Sequence, residues 1–280
     1  MCLPFQEWKR CNKIGKFTPV NQQPLERLFL LKNRNTQLLS SVKSEIKSKL
    51  ELDYFNFHEA RYRLVLKQIQ RIAGKNTLKM LDVGCFPFHV GRACQILGHT
   101  VFGISSNHEP LFNKSIVILN IETDKFPYED NFFDLILCGE VIEHLPHSSV
   151  PALREMYRVT SPHGSIIITT PNIARSANRV KLLMGRSPQF PVDVFFENDG
   201  KGSLLYHRHN REFTMNELKQ LVKNVRWTIK EAFFFISYSP FHAYHRTLSN
   251  PIQWIGKVGN FMAMNVVPGL KDSMLLIAEK

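Results

Sequence analysis

Apolar residues recur at helical spacing from Glu59 to Ala73, where Tyr62, Val65, Leu66, Ile69 and Ile72 fall three or four apart until Gly74-Lys75-Asn76 ends the run. Beyond it, short apolar runs alternate with helical patterns. Strands are expected over 78–83, 100–104, 116–119, 133–138 and 165–170, with helices over 89–97 and 149–159 between them. Strands alternating with helices predict a parallel sheet covered on both faces. The strand spacing is too short for the repeated units of a closed barrel and no internal repeat is visible, so an open, doubly wound α/β sheet is expected. Pro171-Asn172 stops the fifth strand and opens an insertion over 172–213 rich in Arg, Asn, Pro and Gly. A helix over 214–224 follows, begun by Thr214 with Glu217 three residues later, the pattern of a capping box. Strands over 227–236 and 273–279 bring the sheet to seven. Between them Trp254, Ile255, Val258, Phe261 and Met262 mark an amphipathic helix inside a second insertion, 240–268. Residues 1–58 have weak periodicity, with helices predicted over 24–32 and 36–50, and read as a lid or docking segment ahead of a domain spanning 59–280.

Composition narrows the class. Of 280 residues, 44% are hydrophobic and 21% charged, enough apolar material for a packed core. Five cysteines, Cys2, Cys11, Cys85, Cys94 and Cys138, form an odd set with no CxxC spacing, which argues against a disulfide framework or a zinc cage and suits reduced thiols in the cytoplasm. The N-terminus lacks a signal-peptide pattern and no stretch approaches the ~20 apolar residues of a membrane span, so the expectation is a cytoplasmic protein, soluble or peripheral to a membrane.

The net charge of +12 is unevenly spread. Ten basic against three acidic residues give +7 over 1–50, eleven against thirteen give −2 over 51–171, and fifteen against eight give +7 over 172–280. Basic flanks around a near-neutral middle are either solvated surface or the grip on an anionic or membrane-bound partner.

Three segments carry the chemistry. LDVGCFPFHVGRA at 81–93 is a strand ending in Asp82-Val83-Gly84, a turn and a helix; this is where a doubly wound fold binds nucleotides, and Gly84 lets a ligand approach the backbone. FPYEDNFFDLILCGEVIEHL at 126–145 ends its strand in a Gly-acid pair, and LREMYRVTSPHGSIIITTPN at 153–172 is a helix, a Pro-His-Gly turn and a buried strand. Within the second, Glu140, Glu143 and His144 have E-x-x-E-H spacing, which on a helix puts three ligands on one face.

In this order the segments resemble the class I S-adenosylmethionine (SAM)-dependent methyltransferases of the small-molecule and lipid type, over about residues 60–172 and the terminal strands. The resemblance implies a seven-stranded, mostly parallel sheet with an antiparallel last strand, SAM as cofactor, and methyl transfer to an acceptor oxygen or nitrogen. It implies that Asp82, Gly84, Cys85 and Phe86 wrap the methionine end of SAM. Ser105, with Ser106 and Asn107 beside it, stands where the family usually has an acid for the ribose hydroxyls. Asn120 and Ile121 stand where the family reads the adenine, and Glu140 would line the methyl-transfer cleft. Phe88 replaces the family's usual second glycine.

The E-x-x-E-H spacing is similar to that of ubiquinone-pathway O-methyltransferases and small-RNA 2′-O-methyltransferases. There it implies a divalent-metal site, Mg2+ being the ion considered, on Glu140, Glu143 and His144, with His209 as the further ligand; the catalytic set would be Glu140, His144 and His209. In metal-free relatives the same His packs at a helix end, and both readings stay open. Arg175, Arg179, Lys181, Arg186, His207, Arg208 and Arg211 would suit an anionic acceptor, and Phe195-Phe196 an acceptor pocket. The helix at Trp254–Met262, with Lys257 beside its apolar stripe, suits peripheral membrane contact or packing on the sheet. Neither G-x-G-x-x-G nor an acid after the second strand supports a dehydrogenase. The alternatives are an RNA 2′-O-methyltransferase, against which no appendage of aromatics among basic residues is recognisable, and a SAM-fold binding module without catalysis.

Overall fold

The computed structural model describes residues 35–106, 115–189, 208–237 and 264–280. The helix expected over 24–32, Asn107, Phe195-Phe196, His207 and the helix at Trp254–Met262 lie outside these residues.

Seven strands form one sheet: β1 (Lys79–Val83), β2 (Thr100–Ser105), β3 (Ile116–Ile118), β4 (Phe133–Gly139), β5 (Thr160–Pro171), β6 (Thr228–Phe235) and β7 (Ser273–Glu279). Their order is β3-β2-β1-β4-β5-β7-β6, with β1 to β5 parallel and β7 antiparallel to both neighbours. This is the expected doubly wound sheet with a reversed last strand. Alternate residues of the inner strands feed two separate cores. Ile136, Cys138, Ile166, Ile168, Met274, Leu276 and Ala278 pack on one face, and Leu135, Leu137, Ile167, Leu275 and Ile277 on the other. The period-two apolar runs are therefore continuous because both faces are covered.

Helices α1 (35–45), α2 (Lys49–Ala73) and α3 (His89–Ile96) cover one face. Helices α4 (Val150–Val159) and α6 (Met215–Asn224) cover the other, and α5 (Ser176–Leu183) follows β5 at the edge of the site. The Thr214/Glu217 capping box of α6 is present: each side chain bonds the other's backbone N–H.

Two elements differ from the sequence expectation. The helices predicted over 36–50 and from Glu59 are divided instead at 46–48, and α2 runs unbroken from Lys49 through residue 58. The cause is Phe55, fully buried one heptad before Tyr62, which extends the stripe of Tyr62, Val65, Leu66 and Ile69 backwards by two turns. At about 1.5–3 kcal/mol for each large apolar side chain buried, this stripe outweighs the polar composition of 49–58. Strand β5 begins at Thr160 rather than 165, pairing with Phe133 before a bulge that resumes at Ser165 opposite Leu135. The Pro162-His163-Gly164 turn is that bulge, with His163 at φ 63°.

Candidate functional site

Strand order reverses between β1 and β4, and the carboxyl ends of the strands there open a crevice, the standard ligand position of such sheets. After β1 the chain turns at Gly84, φ 71°, and the N–H groups of Gly84 and Cys85 both donate to the Ile104 carbonyl, at 2.8 and 3.1 Å. A Cβ at Gly84 would lie 2.3 Å from Val141 Cγ2, so only glycine fits. The Phe88 substitution does not fill the crevice, because its ring lies over Gly91, where a Cβ would come within 2.1 Å of it.

A cavity of about 80 Å³ sits against this turn. Of the residues expected to wrap a cofactor, Asp82, Gly84, Cys85, Phe86 and Glu140 line it. Ser105, Asn120 and Ile121 do not. Ser105 is buried at the end of β2, where its carbonyl accepts the Leu119 N–H, and Ile121 packs against the core. Asn120 shapes a turn, its Oδ1 accepting the Glu122 N–H at 3.0 Å while Asp124 Oδ2 accepts its own N–H at 2.8 Å.

The opposite wall comes from α2, through Tyr54, Arg61, Tyr62 and Val65. Arg61 is the residue that sequence reasoning missed. Its side chain is only 8% exposed, its Nη1 meets Glu140 Oε2 at 3.3 Å, and its charge also acts on Asp82 and Glu143. The signal was available, as an arginine inside an otherwise apolar helical stripe. Beneath the cavity Asp82 is enclosed; burial pushes its carboxyl up to about 7, against the Gly91 N–H and the Arg61 charge. Tyr62 and His89 brace the wall: Tyr62 Oη lies 3.3 Å from His89 Nδ1, and His89 Nε2 lies 2.9 Å from Glu51. Thr169 Oγ1, also lining the cavity, is buried without a hydrogen-bond partner. One buried guanidinium facing the acceptors Asp82 and Thr169 in a glycine-floored cavity suits the zwitterionic head of an amino acid.

Beyond Glu140 the chain forms a short 3-10 turn, Ile142–His144, rather than an α-helix. Glu140 itself has φ 58°, which breaks the helical register. The E-x-x-E-H residues accordingly do not share one face. Glu140 turns to Arg61, while the ligand atoms of Glu143, His144 and His209 lie within 4.8 Å of one another. The segment 208–213 is stitched to the turn: Asn210 N–H and Arg211 N–H donate to the Glu143 carbonyl, and Asn210 Nδ2 to the His144 carbonyl. Each histidine is oriented through Nδ1, His144 by the Arg208 carbonyl at 3.1 Å and His209 by Glu212 at 2.9 Å. Glu143 is fully buried; Thr170 Oγ1 donates to its Oε2 at 2.9 Å and its Oε1 has no hydrogen-bond partner. Burial raises its carboxyl to about 7, opposed by the Thr170 bond and the Arg61 charge.

His209 also lines a larger cavity of about 340 Å³, with Ile173, Arg175, Lys181, Gln189 and Glu212. Burial works against ionisation of Glu212, but hydrogen bonds from His209 and Arg175 hold its carboxyl below the usual range. Arg175 is thus engaged by Glu212 at 2.5 Å inside this cavity, whereas Arg211 pairs with Glu217 at the surface.

Comparison with known proteins follows the same outline. Residues 81–168 match the family described as a methyltransferase domain. Over 111 residues the chain is 32% identical to a ubiquinone biosynthesis O-methyltransferase of Pseudomonas savastanoi, covering 36% of this chain and 46% of that protein. A Pseudomonas putida protein of the same name is 30% identical over 114 residues with the same coverage. The chain therefore spans about half the length of these relatives. Among solved structures, a SAM dependent methyltransferase from Archaeoglobus fulgidus superposes with TM-score 0.51 at 15% identity, covering 83% of this chain and all of that one. A protein from Pyrococcus horikoshii gives 0.52 at 16%, covering 83% and 92%. These likenesses establish the fold.

Proposed function

We propose that this chain, built on the class I SAM-dependent methyltransferase fold with its methyltransferase segment at residues 81–168, moves a methyl group from SAM to an acceptor oxygen, with a divalent cation on Glu143, His144 and His209. The observation that carries the reading is the adjacency of two sites. The glycine-floored cavity holds Arg61 for an amino-acid carboxylate, and three residues past its Glu140 begins a Glu-His-His group that reaches the larger cavity through His209. The O-methyltransferase names of the Pseudomonas relatives support oxygen as the acceptor atom.

SAM, when bound, supplies a methyl already activated on a sulfonium, which leaves the chain to position the acceptor, exclude water and accommodate one proton. Arg61 would hold the cofactor carboxylate, and Asp82 and Thr169 offer acceptors to its ammonium. With the group free of an ion, His209 would be the member placed to receive the acceptor hydroxyl's proton, and Glu212 would stabilise the imidazolium that results. A divalent ion on the group would instead lower the pKa of that hydroxyl. Two imidazoles and one carboxylate suit a first-row transition ion such as Mn2+ better than Mg2+, which takes oxygen ligands.

The acceptor is read as anionic or membrane-associated. Lys181 lines the larger cavity, and α5 with the turn after it exposes Val180, Leu182, Leu183 and Met184 among Arg179, Lys181 and Arg186. Among the described residues no helix is long and apolar enough to cross a membrane. Calorimetry with S-adenosylhomocysteine, the demethylated cofactor, tests the reading first. The wild type should bind and a folded Gly84→Val protein should lose at least tenfold in affinity, since its new side chain collides with Val141 at the cavity floor. Equal binding by both would reject the site, and transfer of label from SAM into a lipid or small-molecule extract would then identify the acceptor of the intact enzyme.

A further inference from the structure

We infer that Glu140 exchanges between two partners, Arg61 while the cofactor cavity holds no carboxylate and the Glu143–His144–His209 group once it does, so that cofactor binding completes the metal site. The inference rests on the proposed function and deepens it.

The geometry of Glu140 is that of a stand-in. Its Oε2 meets Arg61 at 3.3 Å inside the cavity where the cofactor's own carboxylate would need that guanidinium. Its Oε1 is buried and has no hydrogen-bond partner, so the ion pair is single-pronged and half of the carboxylate is unsatisfied. A buried carboxylate held this way gains little over its desolvation cost, and a ligand bonded at both oxygens displaces it. A cofactor carboxylate entering the cavity would meet a guanidinium already paired with Glu140, and two carboxylates on one arginine repel each other.

The displaced side chain has a destination. The Glu143–His144–His209 group offers three ligand atoms, fewer than divalent ions usually take, and Glu143 Oε1 is a second buried oxygen without a partner. Glu140 precedes that group by three residues, its backbone is pinned by the bond from its N–H to the Thr169 carbonyl at 2.8 Å, and its φ of 58° is unusual for a residue with a side chain. Backbone in this region persists where the surroundings impose it. Glu140 thus lines the cofactor cavity on a fixed backbone, three residues before the Glu143 that opens the metal group, and the exchange we infer is a movement of its side chain from the one to the other.

Linkage makes the inference measurable without turnover. If cofactor releases Glu140 to the ion, the ion must tighten cofactor by the same factor that cofactor tightens the ion. Mn2+ titrated into the full chain should bind about tenfold more tightly with saturating S-adenosylhomocysteine than without, a factor within the usual range of such couplings. Arg61→Gln removes the competing partner, so this variant alone should take Mn2+ about as tightly as the cofactor-loaded wild type. Glu140→Gln should bind Mn2+ weakly with or without S-adenosylhomocysteine, while binding S-adenosylhomocysteine in the absence of metal at least as well as the wild type does. Equal Mn2+ affinity of the wild type with and without bound S-adenosylhomocysteine overturns the exchange, as does a folded Arg61→Gln no tighter than the empty wild type. Failure of S-adenosylhomocysteine to bind the wild type would instead reject the proposed methyl donor, and the comparison of Arg61→Gln with the wild type for Mn2+ alone would still decide the exchange. Absence of Mn2+ binding in every protein overturns the exchange and leaves the methyl donor standing.

Discussion

Asp82 shows how a single residue links the floor of the glycine-turn cavity to stability. It lies on β1 directly beneath the Gly84 turn, and three buried thiols, Cys85, Cys94 and Cys138, feel its charge, each pushed up first of all by burial. The carboxyl is raised from 3.8 to about 7, so between those values it is protonated in the folded chain and ionised in the unfolded one. A proton held more tightly by the folded state stabilises it at low pH. That contribution is complete below about 4 and is lost as pH rises through about 7. Arg61 on α2 and Tyr62 beside it are the other ionisable groups facing it. Asp82→Asn keeps an acceptor for the Gly91 N–H but cannot ionise. Its melting temperature relative to the wild type should therefore climb as pH is raised from 4 to 7. A difference that stays constant across that range, measured by thermal denaturation, would show that Asp82 is ionised in the fold.

Helix α5 is unusual among the elements for what it leaves uncovered. Of its residues only Asn178 is buried, held by a bond to the Ile173 carbonyl, while Val180, Leu182 and Leu183 are between 55% and 89% exposed. A helix with apolar residues outward and Arg179, Lys181 and Arg186 around them matches an anionic bilayer surface, each basic residue near such a surface contributing about 1 kcal/mol. Replacing Leu182 and Leu183 together by Asp should reduce sedimentation with phosphatidylserine-containing vesicles by about an order of magnitude. The melting temperature should change little, because both side chains are mostly exposed. Unaltered vesicle binding by the double variant would remove α5 from the lipid-facing surface.

At the scale of the molecule, charge is partitioned so that +7 lies in 1–50, −2 in 51–171 and +7 in 172–280. Residues 51–171, which carry β1 to β5, are the near-neutral part, and Arg61, the cation proposed to meet the cofactor carboxylate, is buried. Exposed charges are screened within a Debye length of about 10 Å at 0.1 M salt, whereas buried pairs are screened far less. Raising salt should therefore increase the KM for the acceptor and leave S-adenosylhomocysteine affinity nearly constant. Arg179→Glu, Lys181→Glu and Arg186→Glu combined should imitate high salt. Arg175 is kept in this design, because its bond to Glu212 supports His209. A salt-independent KM with normal turnover in the triple variant would leave the basic flanks as solvated surface.

The periodicities that govern local structure were readable along the chain. β4 and β5 announce themselves as unbroken apolar runs because both faces are buried, and Thr214 with Glu217 marks the start of α6 because the capping bonds span only three residues. The Gly84 turn was equally plain, since a strand, a glycine and a helix are all local features. What joins distant parts of the chain was not readable. Spacing alone put Glu140, Glu143 and His144 on one helical face, but the chain leaves β4 through a left-handed residue into a 3-10 turn, and contact with Arg61, far back on α2, takes Glu140 out of the group. Phe55 extends α2 because a core exists for it to enter, a fact its own decapeptide does not contain. His209 meets His144 only because residues 208–213 hydrogen-bond to the turn at Glu143, across more than sixty positions of sequence. Hydrophobic period and capping act within a few residues and leave their mark on the sequence; the direction of a charged side chain depends on whichever buried partner the packed chain brings beside it.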